Sequence, residues 1–406
     1  MKNNKIFLGT VEVAGMMTFL ENAYKELGYT VTTCCSNYDS TFYSRKYDIE
    51  IRSIFLPLFI RKITGYRLFH YINEFIYSIN RWKVYIKQRN RHDIFIFMWD
   101  GFFRNSTRDY AYLQKKGKKV ITIFLGSDVR HIDAFKQQYN IDVSKWDEWF
   151  KKRSINQPLF RIRKAELYSN IIFSIPDQMG LAIRAYYNIY IPFDIKNYTQ
   201  VYNDREIPKL IHIPSRIGIK GTEYILKAIN QLKQEGYKFE FEFLTGVPND
   251  FVINKLKDAD VLVDEAFLPG PGTLSLEGIA CGCVIVTKHE LNGTYRNVIT
   301  YIDTEKIYEP LKKVITDKAY RIQKSREALE VVKEVNNPET VANRILSLSL
   351  DNTSKYDHHP TFYISEFIIG VNKISKRNKK LTLEVLKKYG SNYKDKYSTL
   401  KNQNKI

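Results

Sequence analysis

Short apolar runs without polar alternation recur along this chain. In the first half they are Lys5 to Gly9, Thr30 to Cys34, Ile94 to Met98, Lys119 to Leu125 and Asn170 to Ser174. In the second half they are Leu210 to Ile213, Val261 to Val263 and Val284 to Val286. Runs of this kind suit strands buried on both faces, the pattern of a parallel sheet. Between them the apolar spacing becomes helical. Gly15 to Leu27 reads as a helix closed by Gly28, and Ile225, Ala228, Ile229 and Leu232 share one face of a helix that Gly236 ends. Phe239, Phe241 and Phe243 alternate with Glu240 and Glu242, the signature of a strand with one polar face. Lys313 to Val332 is helical with a polar face. Strand and helix in alternation predict an α/β fold built on parallel sheets. A chain of 406 residues is long enough for two domains. The pattern places them at 1–195 and 208–350, joined by the polar, patternless stretch Asn197 to Glu206, with 351–406 as a final segment.

The chemistry concentrates in the second domain. Asp258 to Thr287, DADVLVDEAFLPGPGTLSLEGIACGCVIVT, reads as strand, turn, helix and second strand. Pro269 to Gly272 forms the turn, Thr273 to Ala280 carries helix formers, and Gly282 stands where the helix should stop. A glycine-rich turn feeding a helix start leaves the N–H groups of Gly272, Thr273, Leu274 and Ser275 free at the positive end of the dipole. That suits a phosphate, and Glu277, one turn further on, could reach a sugar or ribose hydroxyl beside it. A plain strand-turn-helix crossover would use the same residues. In Lys209 to Gly236, the loop after the strand carries Ser215, Arg216 and Lys220. An arginine fork and a lysine point charge suit a diphosphate, although a solvated basic loop would look alike.

Three motifs in order, PSRxxxKGT from Pro214, GVP from Gly246 and GxxxxEGIACG from Gly272, resemble the donor half of a GT-B glycosyltransferase. The match is to the retaining family 4 (group 1) type. The resemblance implies two Rossmann-like domains facing a cleft and a C-terminal helix crossing back, for which Thr361 to Ile374 is the candidate; the lysines beyond it make a basic tail. It also implies a glycosyltransferase moving a sugar from a nucleotide diphosphosugar to a glycan acceptor, with retention and without a metal or other cofactor. Arg216, Lys220, Glu277 and Asp128 would be catalytic; Gly15, Ser215, Gly246, Val247, Gly272, Thr273, Leu274 and Ser275 would hold the donor. The chain departs from the family pattern at three places, the first being Ala14 ahead of Gly15, where the family often carries a second glycine. Leu125 replaces a histidine ahead of Gly126-Ser127-Asp128, where His131 could compensate, and Pro269 replaces the first of two glutamates. Asp264 and Glu265 lie near Pro269, but spacing does not place them in its role, so donor identity and the choice between retention and inversion stay open at this point. Leu125 and Pro269 motivate the alternative of a catalytically degenerate GT-B-fold binding or scaffold protein. There is no GxGxxG, and hence no support for a bound dinucleotide.

Charge and composition add where such an enzyme would work. Cys34, Cys35, Cys281 and Cys283 form neither a disulfide framework nor a zinc knuckle and read as buried thiols of a reducing cytoplasm. Glu12 interrupts any signal-peptide core, and no apolar run approaches the ~20 residues of a membrane span. His358 and His359 beside Asp357 are a weak metal candidate. The net charge of +19 lies mostly in two patches. Arg52 to Arg91 carries nine Lys/Arg against Glu74 alone, and Lys373 to Lys405 carries eleven against Glu384 and Asp395. The first patch, within a basic aromatic insert at 50–92, interleaves its cations with rings that include Phe55, Phe59, Phe75 and Trp82. That mixture suits an anionic membrane surface, with Arg61, Lys62, Arg67, Arg81 and Lys83 as contact cations. Nucleic acid would also attract charge and rings, but no nucleic-acid motif accompanies them; a merely basic exterior is the remaining reading. The expectation is a cytoplasmic protein, peripheral at the inner face of the membrane, meeting a lipid-linked acceptor.

Overall fold

The apolar runs form two parallel sheets, each in its own compact unit. The computed structural model of the chain describes residues 4–36, 46–52, 66–139, 144, 146, 148–175, 180–288, 293–303, 306–351, 355–362 and 374–393. One unit comprises Met1–Ala134, Ser154–Ile189 and Ala342–Ile406; the other comprises Phe135–Arg153 and Tyr190–Val341.

The first sheet contains β1 (Lys5–Thr10), β2 (Thr30–Cys35), β3 (Ile49–Glu50), β4 (Ile94–Met98), β5 (Lys119–Phe124), β6 (Ile171–Ser174) and β7 (Tyr187–Asn188). Their order is β3-β2-β1-β4-β5-β6-β7, and every neighbouring pair is parallel. In this half of the chain the helices are α1 (Met16–Glu26), α2 (Tyr66–Gln88), α3 (Arg108–Lys115), α4 (Ile132–Tyr139), α5 (Glu148–Lys151) and α6 (Asn156–Tyr168). Parallel pairing explains the unbroken apolar runs: β4 is buried at all five positions because helices cover both faces of its sheet.

The second sheet contains β8 (Lys209–His212), β9 (Glu240–Phe243), β10 (Val261–Val263), β11 (Val284–Lys288) and β12 (Thr300–Ile302), in the order β12-β11-β10-β8-β9. Its helices are α7 (Ile217–Lys220), α8 (Thr222–Gln234), α9 (Asn249–Lys257), α10 (Thr273–Cys281), α11 (Tyr308–Thr316) and α12 (Lys318–Val335). The alternating strand β9 is one of the two sheet edges, and none of its four side chains is fully buried. The stretch 197–206 is fastened along this unit. Asn203 donates to the carbonyls of Lys257 and Ala259, and Arg205 pairs with Asp258 at 2.6 Å. Val201 donates to Cys281 C=O at 3.0 Å, beside Gly282, whose φ of 103° and close backbone neighbour leave no room for a side chain.

After α13 (Pro338–Leu350) the chain belongs to the first unit. Helix α14 (Lys376–Tyr389) packs Leu381, Val385 and Leu386 against Leu159, Ile162 and Ala165 of α6. Most of the candidate crossing segment (363–373), much of the basic insert (53–65) and the tail (394–406) lie outside the described residues. Among the described residues no group of three or more His, Cys, Asp and Glu side chains is placed to hold a metal ion, and His358 is engaged with its own neighbours. It exchanges backbone hydrogen bonds with Tyr186, packs at a tilt against that ring with centres 4.9 Å apart, and sits 3.3 Å from Asn188 Oδ1. Burial pushes its pKa down to about 4, so the ring is neutral.

Candidate functional site

The site in the second unit is assembled from the carboxyl ends of β8 and β10, the usual place for functional loops in an open α/β sheet. After β8 the chain makes one turn, α7, and reverses at Gly221. That residue has φ 70°, and a Cβ there would lie 2.9 Å from Ala266 Cβ, so conformation and space both require glycine. The reversal aims Lys220 at the loop after β10. Its Nζ stands 2.8 Å from Asp264 Oδ1 and 3.1 Å from Glu265 Oε2. Ala266 N–H also donates to Lys220 C=O at 2.9 Å, while Asp264 N–H and Lys288 N–H fasten the same loop to β11.

Lys220 is thus an ammonium between two buried carboxylates. Burial would push its pKa down, but Asp264 and Glu265 outweigh that and hold it well above the usual lysine range. Beside it, His212 links three elements, with Nδ1 2.6 Å from Val263 C=O and Nε2 2.9 Å from Thr222 Oγ1. Since a carbonyl only accepts, Nδ1 carries the proton and Nε2 accepts from the threonine. Burial pushes this histidine down to about 4, and it adds no charge.

Helix α10 starts beside the cluster. Gly272 is its N-cap, and the first intrahelical bond runs from Leu276 N–H to Gly272 C=O at 3.1 Å. The N–H groups of Thr273, Leu274 and Ser275 therefore precede the helical ladder. A side chain at Gly272 would meet Glu265 Oε1 at 3.5 Å and Asp264 Oδ2 at 4.0 Å, so both carboxylates lie against this helix start. Ser275 commits its hydroxyl to Asp264 Oδ2 at 2.6 Å. One turn on, Glu277 accepts from Asn249 Nδ2 at 3.1 Å, just beyond Gly246-Val247-Pro248, where Gly246 has φ 67°. Burial raises the Glu277 pKa and the Asp264 charge adds to the effect, while the hydrogen bond from Asn249 opposes it. Ser215 and Arg216 are exposed, and the Arg216 guanidinium lies 5.4 Å from the Phe150 ring centre. Phe150 belongs to this unit together with Trp146, which packs on Phe135, Phe150 and Phe267.

Arg216, Lys220, Gly246, Val247, Gly272 to Ser275 and Glu277 therefore lie in one unit, at neighbouring strand ends and the helix start beside them. Gly15 and Asp128 are in the first unit. Gly15 caps α1 with φ 79°, following Ala14 at φ 53°. The Asp128 carboxylate turns back on its own loop, accepting from Leu125 N–H (3.1 Å) and Gly126 N–H (2.8 Å). Burial raises its pKa to about 6, against the opposing charge of Arg161. Arg81 faces inward, donating to Gly101 and Phe102 carbonyls at 2.6 and 2.5 Å, so it cannot serve as a membrane-contact cation.

The sequence reading missed two groups. Asp264 and Glu265 as the partners of Lys220 could have been suspected from an acid pair directly after a buried strand. The Lys164, Asp100 and Asp109 cluster that braces the loop after β4 in the first unit has no local signal. There Lys164 is 1% exposed, donates to Asp100 and to Phe103 C=O (2.9 Å), and stands 4.0 Å from Asp109.

No protein-family model matches the chain, and no curated protein matches it in sequence. Solved structures do match. Sucrose-phosphate synthase from Thermosynechococcus elongatus is 13% identical with a TM-score of 0.56, over 85% of this chain and 98% of that one. WaaG, a glycosyltransferase involved in lipopolysaccharide biosynthesis, is 13% identical at a TM-score of 0.47, over 84% and 99%. The O-GlcNAc transferase of Thermobaculum terrenum is 12% identical at 0.49, over 86% and 67%. The likeness to the synthase establishes the fold, two parallel α/β units of the GT-B type.

Proposed function

We propose that this protein is a glycosyltransferase moving a sugar from a nucleotide diphosphosugar to a glycan acceptor. The observation that carries the reading is the meeting of Lys220, Glu277 and the free start of α10 at adjacent strand ends, with Arg216 on the loop above. In the reaction the bond from the anomeric carbon to the diphosphate oxygen breaks and the acceptor oxygen bonds to that carbon. The acceptor proton passes to the departing phosphate. Negative charge grows on the diphosphate as it leaves, and Arg216, Lys220 and the N–H groups of Gly272 to Ser275 would stabilise it there. On this reading Arg216 and the helix start supply the positive charge, with the Lys220 ammonium shared between the diphosphate and the carboxylates that hold it; no metal or cofactor is required, and the anomeric configuration is retained. Glu277, held by Asn249, would accept from ribose hydroxyls.

The acceptor we infer is a lipid-linked, growing cell-surface glycan met at the cytoplasmic face of the membrane, and the route is polysaccharide biosynthesis. Thermal unfolding with UDP, GDP, ADP and dTDP, followed by turnover of the matching sugar nucleotides, tests the reading. One diphosphate should raise the melting temperature, and its sugar should be transferred or slowly hydrolysed. Absence of both sinks the proposal. Binding without turnover of any sugar nucleotide supports the degenerate binding protein, which Pro269 favours.

Two substitutions separate the roles. Arg216→Ala should lower turnover about a hundredfold with the fold intact, because an exposed guanidinium adds little stability. Glu277→Gln should weaken nucleotide binding about tenfold, the cost of one charge-assisted contact, with turnover at saturation nearly unchanged. Equal kinetics in wild type and both variants would place the phosphate site elsewhere.

A further inference from the structure

Over residues 71–88, helix α2 buries one side. Tyr77, Arg81, Tyr85 and Gln88, three or four residues apart, face the domain and are buried. The opposite side carries Tyr71, Phe75 and Trp82, exposed by 71%, 67% and 55%, with Ile72 and Ile79 between them at 40% and 37%. These are five of the twelve large hydrophobic side chains that stand exposed among the described residues. A surface helix ordinarily turns polar residues outward, and single exposed apolar residues are common. A continuous stripe along one helix is different, and marks an interaction surface. At 1.5 Å per residue it runs about 16 Å from Tyr71 to Trp82.

Charge selects the occupant. The segment from Arg52 to Arg91 has a surplus of eight positive charges, and Lys83 and Lys87 are exposed beside the stripe. Such a surface fits an anionic partner that also accepts apolar side chains. Rings alone would suit stacked bases, but Ile72 and Ile79 sit in the same stripe and have no face to stack. Aliphatic and aromatic side chains flanked by lysines fit the boundary between headgroups and acyl chains. No described helix is long and apolar enough to cross a membrane, so α2 would lie on the bilayer and not span it.

We propose that this face of α2, Tyr71, Ile72, Phe75, Ile79 and Trp82 with Lys83 and Lys87 beside them, is the surface by which the protein lies on a bilayer bearing anionic headgroups. That a lipid-linked acceptor is met there rests on the transferase reading; the adsorption itself rests on α2. The test is sedimentation of the intact protein with vesicles of phosphatidylcholine, alone or mixed with phosphatidylglycerol. Binding to the mixed vesicles only is expected, lost by about 0.5 M salt as screening shortens the reach of the lysines. Phe75→Ser with Trp82→Ser, and separately Lys83→Glu with Lys87→Glu, should each weaken binding about tenfold or more, given the worth of each ring or cation at such a surface. Both double variants should keep the wild-type melting temperature and any nucleotide-induced shift, because all four side chains are exposed. Adsorption that neither double variant weakens overturns the assignment of α2. Binding to neither vesicle, equal binding to both, or salt-sensitive binding to a nucleic-acid homopolymer instead overturns the docking surface, and leaves the transferase reading to the nucleotide titrations.

Discussion

Lys220→Met is expected to lower the stability of the protein by about 3–5 kcal/mol, the usual cost of removing one partner from a buried ionic cluster. Asp264 and Glu265 are 1% and 3% exposed, and Lys220 faces both within 3.1 Å. Without the ammonium, two buried carboxylates lie against each other with no cation between them. For a unit of this size the loss corresponds to a fall in melting temperature of roughly 10 °C. Turnover would vanish too, so a loss of activity in this variant does not by itself assign Lys220 a role in transfer. The separation comes from also changing Asp264→Asn and Glu265→Gln. In the triple variant no charge remains to be compensated, and most of the lost stability should return while nucleotide binding does not. Urea unfolding of Lys220→Met, of the Asp264→Asn/Glu265→Gln pair and of the triple variant closes the cycle that measures the coupling. An undiminished midpoint in Lys220→Met would mean that water already satisfies the two carboxylates. Recovery of nucleotide binding in the triple variant would remove Lys220 from the phosphate site.

Arg163→Ala should have an effect of the same size in the other unit. Arg163 is fully buried and donates in three directions: to Glu166, to Thr382 Oγ1 at 3.0 Å and to Leu181 C=O at 2.5 Å. Burial pushes its pKa down, and the Glu166 carboxylate opposes that shift. Glu166 in turn accepts from Ile183 N–H and Arg184 N–H at 2.5 and 2.9 Å. One arginine therefore ties α6, the loop before β7 and helix α14 together. Its removal leaves Glu166 without a counter-charge and detaches Thr382, at a cost of about 3–5 kcal/mol. Lysine should not rescue it, since a single ammonium cannot reproduce a planar fork aimed at three acceptors. Limited proteolysis is the sensitive measurement, because weakened docking of α14 should expose the C-terminal segment to cleavage before the rest of the unit. A wild-type cleavage pattern and midpoint in Arg163→Ala would show that Leu381, Val385 and Leu386 hold α14 without it.

Local chemistry determined a large part of this protein. The strands were legible because parallel sheets bury both faces, which forces unbroken apolar runs such as IFIFM in β4 and VLV in β10. The single alternating strand, β9, was legible for the complementary reason: it is an edge. The reversal at Gly221 was written in glycine, whose backbone freedom has few substitutes. What tertiary structure decided is where each charged side chain points and what it meets. Lys220 reads as a solitary cation in the sequence, and only the fold brings Asp264 to it across 44 residues of chain. Phe150 beneath Arg216 comes from the segment at 135–153 that packs with the second unit, and no pattern near Arg216 announces it. Asp128 turns onto its own loop, and Arg81, one cation among nine in its patch, is drawn inward by two carbonyls. Periodicity reports the burial of apolar area, which is additive and local. A charge is satisfied by a few specific atoms in fixed directions, and only the folded chain puts them there.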